Sequence, residues 1–161
     1  GADTLYGSSE DEILYGFDGR DILDALGGDD VVYGNAGRDS LSGGAGDDIV
    51  YGNQGDDILR GGTGDDTLYG GQDGDSLSGG EGDDLLVGGA GADVFVYGAA
   101  DADRDTIADF TVGEDQLLIR SGVEVGTRLD FGDYAVIRLS NGTRIELIGV
   151  DDPDAVAVAY F

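Results

Sequence analysis

Eleven carboxylates recur at nine-residue steps through the first two thirds of the chain: Asp3, Glu12, Asp21, Asp30, Asp39, Asp48, Asp57, Asp66, Asp75, Asp84 and Asp93. Two residues after each stands an apolar or aromatic side chain, Leu5, Leu14, Leu23, Val32, Leu41, Val50, Leu59, Leu68, Leu77, Leu86 and Phe95. Glycine-rich stretches separate the acids, so the chain offers carboxylates and open backbone carbonyls and no softer ligand. There is no Cys and no His. That excludes disulfides and thiolate sites, and it removes the usual zinc ligand and the usual general base near neutral pH. With 35 Asp and Glu against eight basic residues, all Arg, the 161-residue chain has a net charge of -27. It should repel nucleic acid and anionic membrane surfaces, and attract multivalent cations. No apolar run approaches the ~18 residues of a membrane span, and the N-terminus lacks the basic start and apolar run of a signal peptide.

The acids sit in a repeat. "GGAGDDIVY" (43–51), "GGTGDDTLY" (61–69) and "GGEGDDLLV" (79–87) fit Gly-Gly-x-Gly-x-Asp-x-(apolar)-x, and the period holds without insertion through eleven units. On these motifs the chain resembles the RTX, or haemolysin-type calcium-binding, nonapeptide-repeat family over essentially its whole length. The resemblance implies a right-handed parallel β-roll that binds calcium. Chain physics leads to a compatible shape. Glycines permit positive φ and close backbone approach, so the first six residues of each unit are expected to form a tight turn. The next three alternate out, in, out as a short strand. Two turns and two strands make an eighteen-residue coil, and stacked coils make two parallel sheets across a thin core. The expected fold is all-β: a β-solenoid over 1–98, followed by a β-rich cap over 99–161.

Such a core is too thin to offset the acidic charge unaided, which calls for a hard cation. Calcium takes six to eight oxygens at ~2.3–2.6 Å with flexible geometry, whereas magnesium tends to keep its waters. The family resemblance implies the ligands. An ion lies between two turns eighteen residues apart; the earlier turn gives its second and fourth carbonyls and its aspartate, the later its first and third carbonyls and its aspartate. Carried over, one ion binds Phe17, Gly19 and Asp21 with Gly34, Ala36 and Asp39. Others bind Leu26, Gly28 and Asp30 with Gly43, Ala45 and Asp48, and Asn35, Gly37 and Asp39 with Gly52, Gln54 and Asp57. Next come Gly44, Gly46 and Asp48 with Gly61, Thr63 and Asp66, and Asn53, Gly55 and Asp57 with Gly70, Gln72 and Asp75. The last two join Gly62, Gly64 and Asp66 to Gly79, Glu81 and Asp84, and Gly71, Asp73 and Asp75 to Gly88, Ala90 and Asp93. That makes about seven Ca²⁺ ions, with interior aspartates shared between neighbours. Glu10 and Glu12 break the pattern in the first unit, so no ion is assigned between Glu12 and Asp30. The second acid of each pair (Asp47, Asp56, Asp65, Asp83) reads as a solvated surface charge. An EF-hand is excluded, because no stretch has its order of acids, glycine and glutamate.

Alternate units feed alternate sheets. One outer face then carries Tyr15, Tyr33, Tyr51 and Tyr69 at intervals of eighteen; the other carries Asp24, Ser42, Arg60 and Ser78. The tyrosine column either stabilises its sheet or contacts something, and a polysaccharide such as alginate or an upstream domain are the candidate partners. After Tyr97 the period stops. "DTIADFTVGEDQLLI" (105–119) resembles the segment that follows RTX repeats; its apolar residues are expected to cap the roll, with Asp105, Asp109 and Asp115 as candidates for a terminal site beside Asp84 or Asp93. "YAVIRLSNGTRIELIGV" (134–150) reads as a hairpin about Asn141-Gly142. The tail "DDPDAVAVAYF" is similar to a type I secretion signal, and reads equally as a final strand. Residue 1 falls at the fourth position of a turn, as in a chain cut from something longer. Lacking His, Cys and Lys, the chain reads as no enzyme but as an accessory module of a larger one or of another secreted protein. The expected role is a calcium-binding module that folds outside a Gram-negative bacterium after passing the type I apparatus, and stabilises or assists export of what it is attached to. The alternative is a glycan-binding accessory module.

Overall fold

In the computed structural model the described residues are 1–98, 103–120, 122–132, 134–150 and 152–161. The boundary expected at 98/99 abuts residues outside that set. Seventeen strands form two sheets: β1 (Thr4–Ser8), β2 (Ile13–Tyr15), β3 (Ile22–Gly27), β4 (Val31–Ala36), β5 (Ser40–Ala45), β6 (Ile49–Gln54), β7 (Ile58–Thr63), β8 (Thr67–Gln72), β9 (Ser76–Glu81), β10 (Leu85–Ala90), β11 (Val94–Tyr97), β12 (Arg104–Ile107), β13 (Gln116–Ile119), β14 (Val125–Asp130), β15 (Tyr134–Leu139), β16 (Arg144–Ile148) and β17 (Val158–Tyr160). One sheet runs β1-β3-β5-β7-β9-β11-β13-β17 and the other β14-β15-β16-β12-β10-β8-β6-β4-β2. Within the repeats every pairing is parallel and in steps of eighteen, as in Val50↔Leu68 and Leu59↔Leu77. This is a parallel β-roll, a solenoid with no α-helix among the described residues.

The strands are longer than the repeat suggests. Most have six residues, running through the first three positions of the next unit; β6 is Ile49-Val50-Tyr51-Gly52-Asn53-Gln54. Ladder pairing persists there, as Gly44↔Gly62 and Ala45↔Thr63 show, because stacked backbones still aim their amides and carbonyls along the stack. Only positions four to six are left to turn. The in-out alternation therefore extends as well, and three kinds of side chain face inward: aspartate at position six, the apolar residue at eight and glycine at one. From Leu23 through Phe95 the position-eight side chains are 0–1% exposed. Leu5 is 38% exposed, since it lies in the outermost coil with no neighbour on one side.

Every second- and fourth-position residue from turn 16–21 to turn 88–93 has positive φ, including the non-glycines Phe17, Leu26, Asn35, Asn53 and Asp73 at 68° to 77°. For Phe17 and Leu26 that conformation is strained. Ser8 and Glu10 do not adopt it, so the first unit lacks the turn its sequence had already made suspect. Beyond the repeats the sheets continue. β12 pairs β10 and β13 pairs β11, both parallel, and β17 closes one sheet against β13. β15 and β16 form the antiparallel hairpin about Asn141-Gly142, and β16 lies parallel on β12. Their inward residues Ile107, Leu117, Ile119, Ile137, Ile145 and Leu147 extend the one apolar column.

Candidate metal centre

The turns stack on two edges of the roll. Turns beginning at 25, 43, 61 and 79 form what is here termed the Asp48 edge; those beginning at 16, 34, 52, 70 and 88 form the Asp57 edge. Along both, the position-six aspartates from Asp21 to Asp93 are 0–3% exposed. One oxygen of each is accounted for by the chain. Oδ1 accepts the backbone N–H of the acid eighteen residues earlier, Glu12 for Asp30 and an aspartate elsewhere, at 2.7 Å for Asp21 N–H to Asp39 and 2.8 Å for Asp48 N–H to Asp66. The other oxygen is not. Oδ2 of Asp21, Asp30, Asp39, Asp48, Asp57, Asp66 and Asp75 is buried without a hydrogen-bond partner. A row of desolvated anionic oxygens is untenable unless a proton or a cation meets it. Burial pushes the Asp57, Asp66 and Asp75 carboxyls up to about 7 and Asp48 to about 6, and the neighbouring carboxylates of the row add to the rise while the backbone N–H opposes it.

The same oxygens open onto a gap that only glycine leaves clear. A methyl group placed on Gly52 would lie 2.6 Å from Asp57 Oδ2 and 2.6 Å from the Gly70 carbonyl oxygen; on Gly34, 2.7 Å from Asp39 Oδ2 and 3.0 Å from the Gly52 carbonyl oxygen. Gly16 and Gly70 repeat this geometry. On the Asp57 edge the carboxylate of the earlier turn and the first carbonyl of the later one thus meet in each gap; on the Asp48 edge methyls on Gly43, Gly61 and Gly79 would strike the carboxylate of their own turn. First-position glycine is explained by that space, since its φ is ordinary. Ala25, also buried, is the exception: the turn of Asp30 is built around its methyl with Asp30 Oδ2 still buried and unpartnered, whereas the glycine turns have no such room. Second- and fourth-position carbonyls face the same gaps: methyls on Gly44 and Gly62 would strike the Leu26 and Gly44 carbonyls, and methyls on Gly46 and Gly64 those of Gly28 and Gly46. Third-position carbonyls already accept an N–H, as Gln54 does from Gly37 at 2.9 Å and Thr63 from Gly46 at 2.9 Å, which leaves each a second lone pair. The oxygens lining the gaps are thus carbonyls more than carboxylates, and no group of three or more Asp or Glu placed to hold one ion occurs among the described residues. Such a donor set, all oxygen and mostly neutral, suits calcium.

Two features lie beyond what the nine-residue repeat shows, the first at the Asp105, Asp109 and Asp115 positions expected beside Asp84 or Asp93. The buried rows do not end with the repeat: Asp84 N–H donates to Asp105 Oδ1 at 3.1 Å and Asp93 N–H to Asp115 Oδ1 at 2.9 Å. Asp109 accepts the Gly88 and Gly89 amides at 2.9 and 2.8 Å, so it sits on the turn of Asp93 while Asp105 sits on that of Asp84. The second feature is an outer row. The carboxylates of Asp11, Asp29, Asp47 and Asp65 accept the N–H of Asp29, Asp47, Asp65 and Asp83 at 2.9–3.0 Å, and Asp83 accepts that of Arg104. Position-five acids on this edge are exposed, yet they tie one coil to the next.

On the opposite axis, Tyr15, Tyr33, Tyr51 and Tyr69 stack at 4.9–5.0 Å with ring planes within 5° of parallel, and Phe17 covers the far side of Tyr15. The faces of Tyr33 and Tyr51 are covered by their neighbours, which leaves edges and hydroxyls outward rather than the open ring face on which a sugar stacks.

The RTX calcium-binding nonapeptide repeat, as a family of sequences, matches residues 1–32, 25–59, 33–68, 51–86, 60–95 and 69–107. No curated protein matches the chain. Among solved structures the chain is similar to the extracellular lipase LipA from Serratia marcescens, at 19% identity and a TM-score of 0.48, over 99% of this chain and 40% of the lipase.

Proposed function

The chain belongs to the RTX calcium-binding nonapeptide repeat family, and from that premise we propose that it is a module whose roll assembles as seven Ca²⁺ ions enter the seven gaps between Asp21 and Asp93. The observation that carries this reading is the buried, unpartnered Oδ2 row facing oxygen-lined gaps. When bound, calcium supplies positive charge and accepts oxygen ligands, and seven ions cancel about half of the -27. The chain's own part is to present Asp Oδ2 and turn carbonyls at one spacing, so that each interior aspartate serves two gaps. Extracellular calcium modules bind at ~10⁻⁴–10⁻³ M. In a low-calcium cytosol the acidic repeats then stay open, a state suited to type I export; outside, binding free energy becomes folding free energy. In this reading the module is extracellular, follows a larger secreted protein and stabilises it or assists its export, and the C-terminal strands carry both closure of the roll and the export signal.

The test is removal of the ion. In excess EDTA at pH 7.5 the full chain should lose its strand signal and its slow-exchanging amides, and regain both on addition of CaCl₂. A chain that keeps a compact, exchange-protected roll in EDTA overturns the proposal.

A further inference from the structure

The two edges carry the same buried row but differ at the fifth turn position. On the Asp48 edge, counting the first coil, it is Asp11, Asp29, Asp47, Asp65 and Asp83; on the Asp57 edge it is Arg20, Arg38, Asp56, Gly74 and Ala92. Beside the assigned gaps the fifth position thus adds four negative charges on one edge, and two positive and one negative on the other; Glu81 on the first edge and Asp18 and Asp73 on the second leave the same sign of difference. Hydrogen bonding differs in step. The outer carboxylates on the Asp48 edge link every coil from Asp11 to Arg104. On the other edge arginine has no acceptor to offer the next coil, and Asp56 meets the Gly74 amide only at 3.4 Å.

We propose that the two columns of gaps bind calcium with unequal strength, the Asp48 edge filling first and the Asp57 edge second, with the Arg20–Arg38 gap last. The inference rests on the calcium reading above and supplies its order of loading. Two physical effects point the same way. Position five adjoins the metal-facing Asp30, Asp48 and Asp66, whose buried Oδ2 atoms aim into the gaps, so its charge lies close to any bound cation. Exposed single charges shift binding a few-fold each, and the sum over an edge is on the order of 10- to 100-fold. The second effect is preorganisation. The Asp47 and Asp65 amides are each bound to the coil before, which fixes the backbone immediately after the Gly46 and Gly64 carbonyls, so less order remains to be imposed on binding.

The experiment uses the full chain with CaCl₂ as probe: calorimetric titration at low ionic strength, with amide exchange read at intermediate calcium. The wild type should fill in two sets whose half-saturating calcium differs by ~10-fold or more. The Gly46, Asp47, Gly64 and Asp65 amides should become protected before those of Gly37, Asp39 and Asp57. D29N/D47N/D65N keeps each Oδ1 acceptor and removes its charge; it should weaken the first set by ~10-fold and leave the second in place. R20Q/R38Q should tighten the second set alone. Simultaneous protection of both edges, or variants that move both sets equally, overturns the proposal while leaving calcium-driven folding intact. Absence of any calcium uptake would instead refute the calcium reading on which it rests.

Discussion

Gly52→Ala puts a methyl group into the gap between turns 52–57 and 70–75, and the structure sets the size of the effect. Gly52 has an ordinary φ, so alanine brings no backbone strain. Its methyl would stand 2.6 Å from both Asp57 Oδ2 and the Gly70 carbonyl, where ordinary contact begins at 3.4 Å; both contacts must open by 0.8 Å, the difference. Gly70 is held by the flanking Tyr51↔Tyr69 and Asn53↔Gly71 pairs, so the carboxylate must turn out of the gap and the backbone at residue 52 must draw back from the carbonyl. Overpacking of this kind costs about 1–3 kcal/mol. Losing one site at a calcium concentration a hundred times its Kd removes about 2.7 kcal/mol, and the stiffer unfolded chain returns about 0.4–1 kcal/mol. The net is about 3–5 kcal/mol. With six ions left to drive folding, each tenfold rise in calcium supplies roughly 8 kcal/mol, so the folding midpoint should rise about two- to fourfold. Far-UV circular dichroism over a calcium titration reads the midpoint, and equilibrium dialysis reads the ion count, which should fall by one. Gly142→Ala is the control: its methyl meets nothing within 4 Å, but its φ of 113° strains alanine, so it should destabilise the hairpin turn and leave the ion count alone. An unchanged midpoint and an unchanged ion count in Gly52→Ala would refute the reasoning.

Acid should partly replace the metal. In the ion-free fold the carboxyls of Asp57, Asp66 and Asp75 are raised to about 7 and that of Asp48 to about 6, from an ordinary 3.8. Groups raised on folding stabilise the fold fully below their unfolded value and lose that contribution as pH climbs through the folded one. Strand content in EDTA should therefore grow between about pH 7 and 4, and calcium uptake near neutrality should release protons; a metal-free chain that loses structure over that interval contradicts this. Tyr33→Ala/Tyr51→Ala removes three ring stacks, each worth about 0.5–1.5 kcal/mol beyond burial. Calcium-loaded thermal stability should drop by about 2–4 kcal/mol with ion number unchanged; a lost ion would tie the tyrosine column to the metal sites.

The nine-residue step made most of this roll legible, because a strict period leaves one way to stack coils. Inward Leu41 and Val50, the Asp48 and Asp57 rows and the tyrosine column all follow from it. Three things did not. Strand length was hidden because glycine argues for a turn wherever it falls, while ladder bonding needs only a suitably aimed backbone; Gly44 and Gly62 pair despite φ values of 122° and 136°. Continuation of the rows through Asp105 and Asp115 does not follow from the period, since the spacings are 21 and 22 in place of 18, and the sequence offers these residues only as candidates beside Asp84 or Asp93. A signal was present all the same: Asp105-Thr-Ile107 and Asp115-Gln-Leu117 keep the acid-x-apolar step of every repeat. The outer row reads from sequence as solvated charge, and its acids are exposed, but exposure alone says nothing about which backbone amide a carboxylate accepts.

The tyrosine column has a consequence for how such a chain can change its length. Rings meet only because units eighteen residues apart share a sheet, while units nine apart lie on opposite ones. Deleting or inserting one nonapeptide therefore shifts parity: everything downstream trades sheets, Tyr51 would stack against a residue of the Ser42 and Arg60 column, and acid-flanked turns would continue onto the arginine edge. Removing or adding a pair leaves every column in phase. Tolerated changes in this roll should come in eighteens, and any odd nonapeptide should sit at a seam where the columns already end.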